Sequence, residues 1–382
     1  FVHSFISKML SFMLDHKYKT IWVIFNAVVA YFVKRHLATL YKKKSGTITK
    51  KDKDVFIEDI HKEYPEFSRH DVELSYLQVF IAMTLYGWLK IGAWVSILVI
   101  TWLQCKLYFG NRSINQNPNV KDREFIKWIL RWNYWIGFIG IWARLKETKA
   151  DKPEHIEVYK KWLGSDFKVD FEADFTLILA NHTGMMDIQY LMYKFAPGFI
   201  AKVGIRSVPF IGFIADKLDT LWLDRKDANS RTEIAGDLKK RQEAYVANRN
   251  ISPLMVFPEG TTSTGDHLLK FKKGSFESLL PVKSVLFRST VNKIGEGIND
   301  PFIQMAMDCC RLYNVYEFTE LPVISPTQYM FDNYQKLHPE VTNKAEIYAE
   351  VVREIWLEIG GFIKSERSYS DYLKYYSLVY GN

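Results

Sequence analysis

Two short runs in this sequence carry residue types suited to proton transfer. The first is Asn181-His182-Thr183-Gly184-Met185-Met186-Asp187. It follows an apolar stretch that reads as a strand, so the histidine stands where a strand opens into a helix. A His and an Asp five residues apart can meet across one turn. The carboxylate then accepts a hydrogen bond from one ring nitrogen, fixes the tautomer and steadies the imidazolium, leaving the other nitrogen as a general base. The second run is Phe257-Pro258-Glu259-Gly260-Thr261-Thr262-Ser263, again behind a strand-like segment. A carboxylate followed by glycine at a strand end lets backbone N–H groups approach a polar substrate. Taken singly, a structural His–Asp contact accounts for the first run equally well, and the second is more often an ordinary turn than a site.

Both runs need strand ends to hold them. Strands are expected at 174–180, 198–202, 219–224, 252–257 and 315–324, and helices at 185–196, 207–217, 228–248 and 341–364. Such alternation predicts an α/β fold, a mixed β-sheet flanked by helices. Of the 382 residues, 48% are hydrophobic and 25% charged, which excludes disorder as the main state. The aromatic share of 15% suits a protein with much surface at a membrane–water boundary.

In their order, these runs resemble the motifs of the glycerophospholipid acyltransferase family (lysophospholipid and 1-acylglycerol-phosphate acyltransferases). His182 and Asp187 fill the family's Asn-His, four residues, Asp motif, and residues 257–261 fill its Phe-Pro-Glu-Gly-Thr motif. A third motif, Gly-x-x-Phe-Ile-Asp-Arg, reads Asp219-Thr220-Leu221-Trp222-Leu223-Asp224-Arg225 here, with Lys202 and Arg206-Ser207-Val208-Pro209 before it. Leu321-Pro322-Val323-Ile324 is similar to the fourth. The resemblance covers about 120–330 and implies the glycerolipid acyltransferase fold behind an N-terminal helical, membrane-associated region. It also implies direct acyl transfer with acyl-CoA as co-substrate and no cofactor or metal. In that scheme His182 deprotonates an acceptor hydroxyl and Asp187 orients it. Arg225 grips the acceptor phosphate, Glu259, Gly260 and Thr261 help hold the acceptor, and Lys202 is a second cation for phosphate or CoA. Thr183 is a candidate oxyanion donor. The absence of a Gly-x-Ser-x-Gly elbow agrees with transfer without a covalent intermediate. Asp219 departs from the family's glycine, and Thr262 stands where many members that use lysophosphatidate have arginine. The second departure points toward lysophosphatidylcholine, lysophosphatidylethanolamine or glycerol-3-phosphate as acceptor. Lys270, Lys272 and Lys273 are in place to restore some positive potential.

The remaining sequence speaks of membranes. Net charge is +8, and residues 34–53 alone hold eight Lys/Arg against one Asp. A local basic arm without interleaved stacking aromatics argues against nucleic acid and for anionic lipid headgroups. Residues 74–103 carry a single charge, Lys90, and a re-entrant hairpin folded at Gly87–Gly92 would bring that charge to a protected or wet turn. Residues 125–142 carry four Trp with Lys127 and Arg131, the make-up of an interfacial helix. The cysteines, Cys105, Cys309 and Cys310, have no disulfide-framework or zinc spacing. The expected organisation is an N-terminal arm (1–70), a membrane-embedded helix or hairpin (71–112), interfacial linker helices (113–165), the α/β acyltransferase domain (166–330) and a helical tail (331–382). The expected partners are membrane phospholipids, acyl-CoA and a lysophospholipid acceptor. The family's usual address is the endoplasmic reticulum, with the mitochondrial inner membrane as the other candidate. The competing reading is a catalytically silent subunit that binds lipid and scaffolds a larger membrane protein complex.

Overall fold

The computed structural model describes residues 21–32, 59–67, 75–224, 228–289 and 301–380. The basic arm 34–53 and Arg225 lie outside them.

Seven strands form one sheet: β1 (Ala143–Lys149), β2 (Leu177–Ala180), β3 (Gly198–Lys202), β4 (Leu221–Leu223), β5 (Leu254–Val256), β7 (Val282–Ser289) and β8 (Asn314–Glu320). Their order is β1-β8-β7-β2-β5-β3-β4. The pair β7–β8 is antiparallel and every other pairing is parallel. The fold is thus the expected mixed sheet flanked by helices. The strands β2, β3, β4, β5 and β7 share one direction, so their C-terminal ends, where ligands of open α/β sheets gather, lie along one edge.

The sheet is covered on both faces, as parallel strands require. In β2 every residue is buried, and alternate side chains serve opposite layers. Leu177 and Leu179 join Tyr159 and Trp162 of α5 (Pro153–Leu163), Phe331 of α10 (Gln328–Leu337), and Val352, Ile355 and Trp356 of α11 (Lys344–Gly360). Ile178 and Ala180 join Met186 and Tyr190 of α6 (Met185–Phe195), Trp94 and Leu98 of α3 (Trp88–Phe109), and Phe138 of α4 (Val120–Gly140). Residues 331–382 therefore do not stand apart as a tail, because α11 supplies part of the central core. Likewise β1, inside the expected linker, extends the sheet beside β8.

No hairpin forms at Gly87–Gly92. Helix α2 (Tyr76–Ala82) runs through a single π-helical turn, Met83–Gly87, into α3. The whole run, Tyr76–Gln116, is long and apolar enough to cross a membrane. The reason for expecting a reversal disappears at Lys90. It is fully buried within the protein, and Nζ donates to the Arg311 and Leu312 carbonyls at 2.6 and 2.9 Å. The ammonium also lies 4.7 Å from the Trp142 ring centroid. These carbonyls belong to the short link between α9 (Pro301–Cys309) and β8.

Candidate active site

Asn181 continues β2 by side chain. Its carboxamide accepts from Phe287 N–H at 2.7 Å and donates to Phe287 O at 3.0 Å, imitating the ladder to β7. The chain then leaves the sheet at His182, and α6 begins at Met185. Asp187 falls in the first turn of that helix, where a carboxylate suits the unpaired N–H groups and the dipole. Its Oδ2 accepts from Thr183 N–H at 2.7 Å and Gly184 N–H at 3.1 Å, and meets His182 Nδ1 at 2.9 Å. Asp187 is buried at 1% exposure, while the His182 side chain keeps 18%. The pair thus shows an imidazole to solvent with its carboxylate behind it. With Nδ1 turned to Asp187, Nε2 points to the opposite side of the ring.

The loop after β5, the next strand in the sheet, closes over His182 from the other side. Phe257 stacks on the imidazole with centroids 3.8 Å apart and planes 10° off parallel. Glu259 Oε1 accepts from His182 N–H at 3.2 Å and Oε2 from Leu269 N–H at 3.0 Å. The His182 carbonyl accepts from Ser263 N–H at 2.8 Å. Burial pushes the Glu259 carboxyl up to about 8, against the pull of the two amides and of Arg353.

Among the residues singled out from sequence, the structure brings His182, Asp187 and Glu259 into one hydrogen-bonded cluster. Two assignments change. Glu259 has no exposed surface and both oxygens engage backbone amides, so it does not reach an acceptor. Thr183 gives its N–H to Asp187, and its side chain is buried, so neither is an oxyanion donor in this arrangement. Gly260 turns the chain at φ 74°, in the region that favours glycine, and a Cβ there would collide with the Lys272 ammonium. Thr261 beside it is mostly buried. Lys202 is exposed at the end of β3, two strands from β2, and Arg225 lies outside the described residues.

Asp219 explains its own departure. Its φ is 54°, which a glycine adopts freely and an aspartate tolerates. Its carboxylate accepts from Asn115 N–H at 2.9 Å, and its carbonyl accepts from Arg241 at 2.6 Å. Sequence reasoning passed over Phe257 and Asn181 as working residues. The signal for both was present, since each is a motif position within two residues of a candidate chemical group. Among the described residues no group of His, Cys, Asp and Glu side chains converges to hold a metal ion.

A family model described as Acyltransferase matches residues 170–287, the span from before β2 into β7. The lysophospholipid acyltransferase LPEAT1 of Arabidopsis thaliana is 28% identical over 208 residues, covering 54% of this chain and 50% of that protein. Residues 170–287 thus match an acyltransferase model, and the chain is similar to proteins named as lysophospholipid acyltransferases. The chain is also 30% identical over 156 residues to the lysophospholipid acyltransferase LPCAT4 of Xenopus tropicalis, a match covering 40% of this chain and 29% of that one. The chain spans half or less of the length of these curated relatives. The crystal structure of PlsC, the 1-acyl-sn-glycerophosphate acyltransferase of Thermotoga maritima, aligns over 71% of this chain and 97% of its own. Its TM-score of 0.41 at 15% identity is too slight a likeness to carry an argument.

Proposed function

We propose that this protein is an acyl-CoA-dependent O-acyltransferase that esterifies the free hydroxyl of a lysophospholipid. The observation that carries the reading is the His182–Asp187 pair at the C-terminal end of a parallel strand, at 2.9 Å. His182 Nε2 takes the proton of the acceptor hydroxyl, and Asp187 holds the tautomer and faces the resulting imidazolium. The oxygen attacks the thioester carbonyl carbon, the C–S bond breaks, and the CoA thiolate leaves with the proton returned by the imidazolium. The acceptors we assign are lysophosphatidylcholine and lysophosphatidylethanolamine, in line with Thr262 and with the printed names of the relatives. For the phosphate we assign Lys202, exposed at the end of β3, and Arg225, whose planar fork suits phosphate. Lys272, against Gly260, is a third cation beside the loop that carries Phe257. Gly260 and Thr261 line that loop's approach to the acceptor.

The silent-subunit reading gains no support from the relatives, and the 2.9 Å contact between His182 and Asp187 supports the catalytic one. The membrane we assign, endoplasmic reticulum or mitochondrial inner membrane, rests on the resemblance and is read by organelle fractionation. The deciding experiment is acyl transfer from acyl-CoA to lysophosphatidylcholine, lysophosphatidylethanolamine, lysophosphatidate and glycerol-3-phosphate, with His182→Ala as control. The reading expects turnover with the first two and a loss on the order of 10²–10⁴ in the variant. Equal rates for the variant and the natural chain would end it.

A further inference from the structure

We propose that Phe257 and Glu259 are positioning residues for His182, Phe257 steadying the protonated ring and Glu259 fixing the backbone that carries it. The inference rests on His182 acting as the base. It departs from the acceptor-holding role that the resemblance gives to Glu259.

The geometry of the stack is the first argument. The centroids are 3.8 Å apart and the planes 10° from parallel, so the imidazole lies against the face of the phenyl ring. That arrangement suits a cation over the negative face of an aromatic ring. The imidazolium formed when the base takes its proton lies against that face. Asp187 holds the ring by its edge, at Nδ1, and Phe257 holds it by its face. Together they leave the ring little freedom to tilt.

The second argument is the backbone. The N–H of His182 goes to Glu259 and its C=O to Ser263, both from the same loop. Ends of adjacent strands β2 and β5 are thereby tied across the residue that carries the base. The second Glu259 oxygen continues the tie to Leu269, next to β6 (His267–Leu268). A carboxyl with no exposed surface touches no substrate, so its effect on turnover passes through His182.

The test uses the full chain in detergent micelles, with oleoyl-CoA and lysophosphatidylcholine as substrates. Phe257→Met keeps bulk and removes the aromatic face, and Phe257→Leu is the second variant should the first not fold. Values of kcat and KM are measured separately. Carbethoxylation of His182 by diethyl pyrocarbonate is followed against pH by peptide mass spectrometry. Phe257→Met is expected to lower kcat about tenfold or more with KM within about twofold. The carbethoxylation midpoint is expected to fall by about half to one pH unit. Phe257→Tyr, which restores the ring face, should recover most of both losses. Glu259→Gln should lower kcat with KM unchanged. An unshifted midpoint with natural kcat in Phe257→Met or Leu overturns the role of Phe257, as does a Tyr variant no better than Met. A rise in KM alone for Glu259→Gln overturns the role of Glu259. If the natural chain transfers no acyl group, the proposed function fails, while the midpoint still decides whether Phe257 steadies the imidazolium.

Discussion

One oxygen of Asp187 serves both the helix and the base. Oδ2 receives the Thr183 and Gly184 amides and also the Nδ1 side of His182. Replacing Asp187 by Asn keeps the shape but changes the donors. If the carboxamide oxygen stays on the two amides, it still faces Nδ1 but carries no charge, and the NH2 group takes the place of the oxygen that accepts from Ile188 N–H. The charge that steadies the imidazolium is gone, so Asp187→Asn is expected to cut kcat by on the order of 10²–10⁴ with little change in fold. Steady-state kinetics with circular dichroism on the same sample checks it. Glu259 carries a different prediction, about pH. Its carboxyl is raised to about 8 by burial, so its share of stability is present below the ordinary carboxyl range and is lost as pH rises through about 8. Glu259→Gln gives one of the two amides a donor to face and should cost about 1–3 kcal/mol at acid pH. Lacking the carboxyl, the variant loses that slope, so the gap to the natural chain should narrow between pH 5 and 9 in chemical unfolding. A constant gap would show that Glu259 does not titrate in this window. The His–Asp pair was legible in the sequence because five residues of local spacing fix it. The work of Glu259 was not, because its partner is 77 residues away and only the pairing of β2 with β5 brings them together.

At the level of elements, legibility followed the burial pattern. The run that becomes β2 is apolar throughout and bounded by polar residues, and β3 was expected at the residues where it forms. By contrast, β7 hides Lys283 and Ser284 among its buried residues, and β1, Ala-Arg-Leu-Lys-Glu-Thr-Lys, is a charged edge strand with mostly exposed side chains. Neither shows an apolar period to read, and β1 owes its place to its pairing with β8. The π-helical turn and α3 teach the same lesson in reverse. A charge in an apolar run looked costly while lipid was its assumed surroundings, yet Lys90 bonds two carbonyls inside the protein. The sign of one substitution separates the two cases. In lipid, Lys90→Leu would relieve a cost of at least about 2.5 kcal/mol and stabilise the protein. In the packing observed, it leaves the Arg311 and Leu312 carbonyls without their donor and should destabilise by about 1–3 kcal/mol. Thermal unfolding of the two chains in the same detergent gives the answer directly.

For the whole molecule, the two cores are finished but one outer side is not. Helix α3 buries a stripe that includes Trp94, Leu98, Thr101, Cys105 and Phe109, yet turns Leu89, Ile100, Leu103 and Leu107 outward. Its neighbour α4 buries Ile126, Ile129, Leu130 and Phe138 while Trp128, Trp132 and Trp135 remain 57%, 48% and 44% exposed. These three rings, with Glu124, Lys127, Arg131 and Tyr193, line an open cleft of about 500 Å³ that shares no residue with the His182 cluster. So much apolar and aromatic surface on two adjacent helices is more than a soluble monomer ordinarily exposes. Indole rings beside Lys and Arg fit a headgroup layer, where an apolar body and a polar edge are both satisfied. The proposed reaction gives such a face a use, because acceptor and product both live in a lipid leaflet. Trp128→Ala, Trp132→Ala and Trp135→Ala combined should lower co-sedimentation with phosphatidylcholine vesicles by on the order of tenfold per ring removed. Their turnover on a soluble short-chain acceptor should stay near that of the natural chain, since none of the three touches His182 or its loop. Lys127→Glu with Arg131→Glu should weaken binding chiefly to vesicles containing anionic lipid, by about 1 kcal/mol per charge, and less at high salt. Equal sedimentation of the triple Trp variant and the natural chain would move the membrane contact off α4, onto α3 or the basic arm alone, and would leave the exposed indoles to a protein partner.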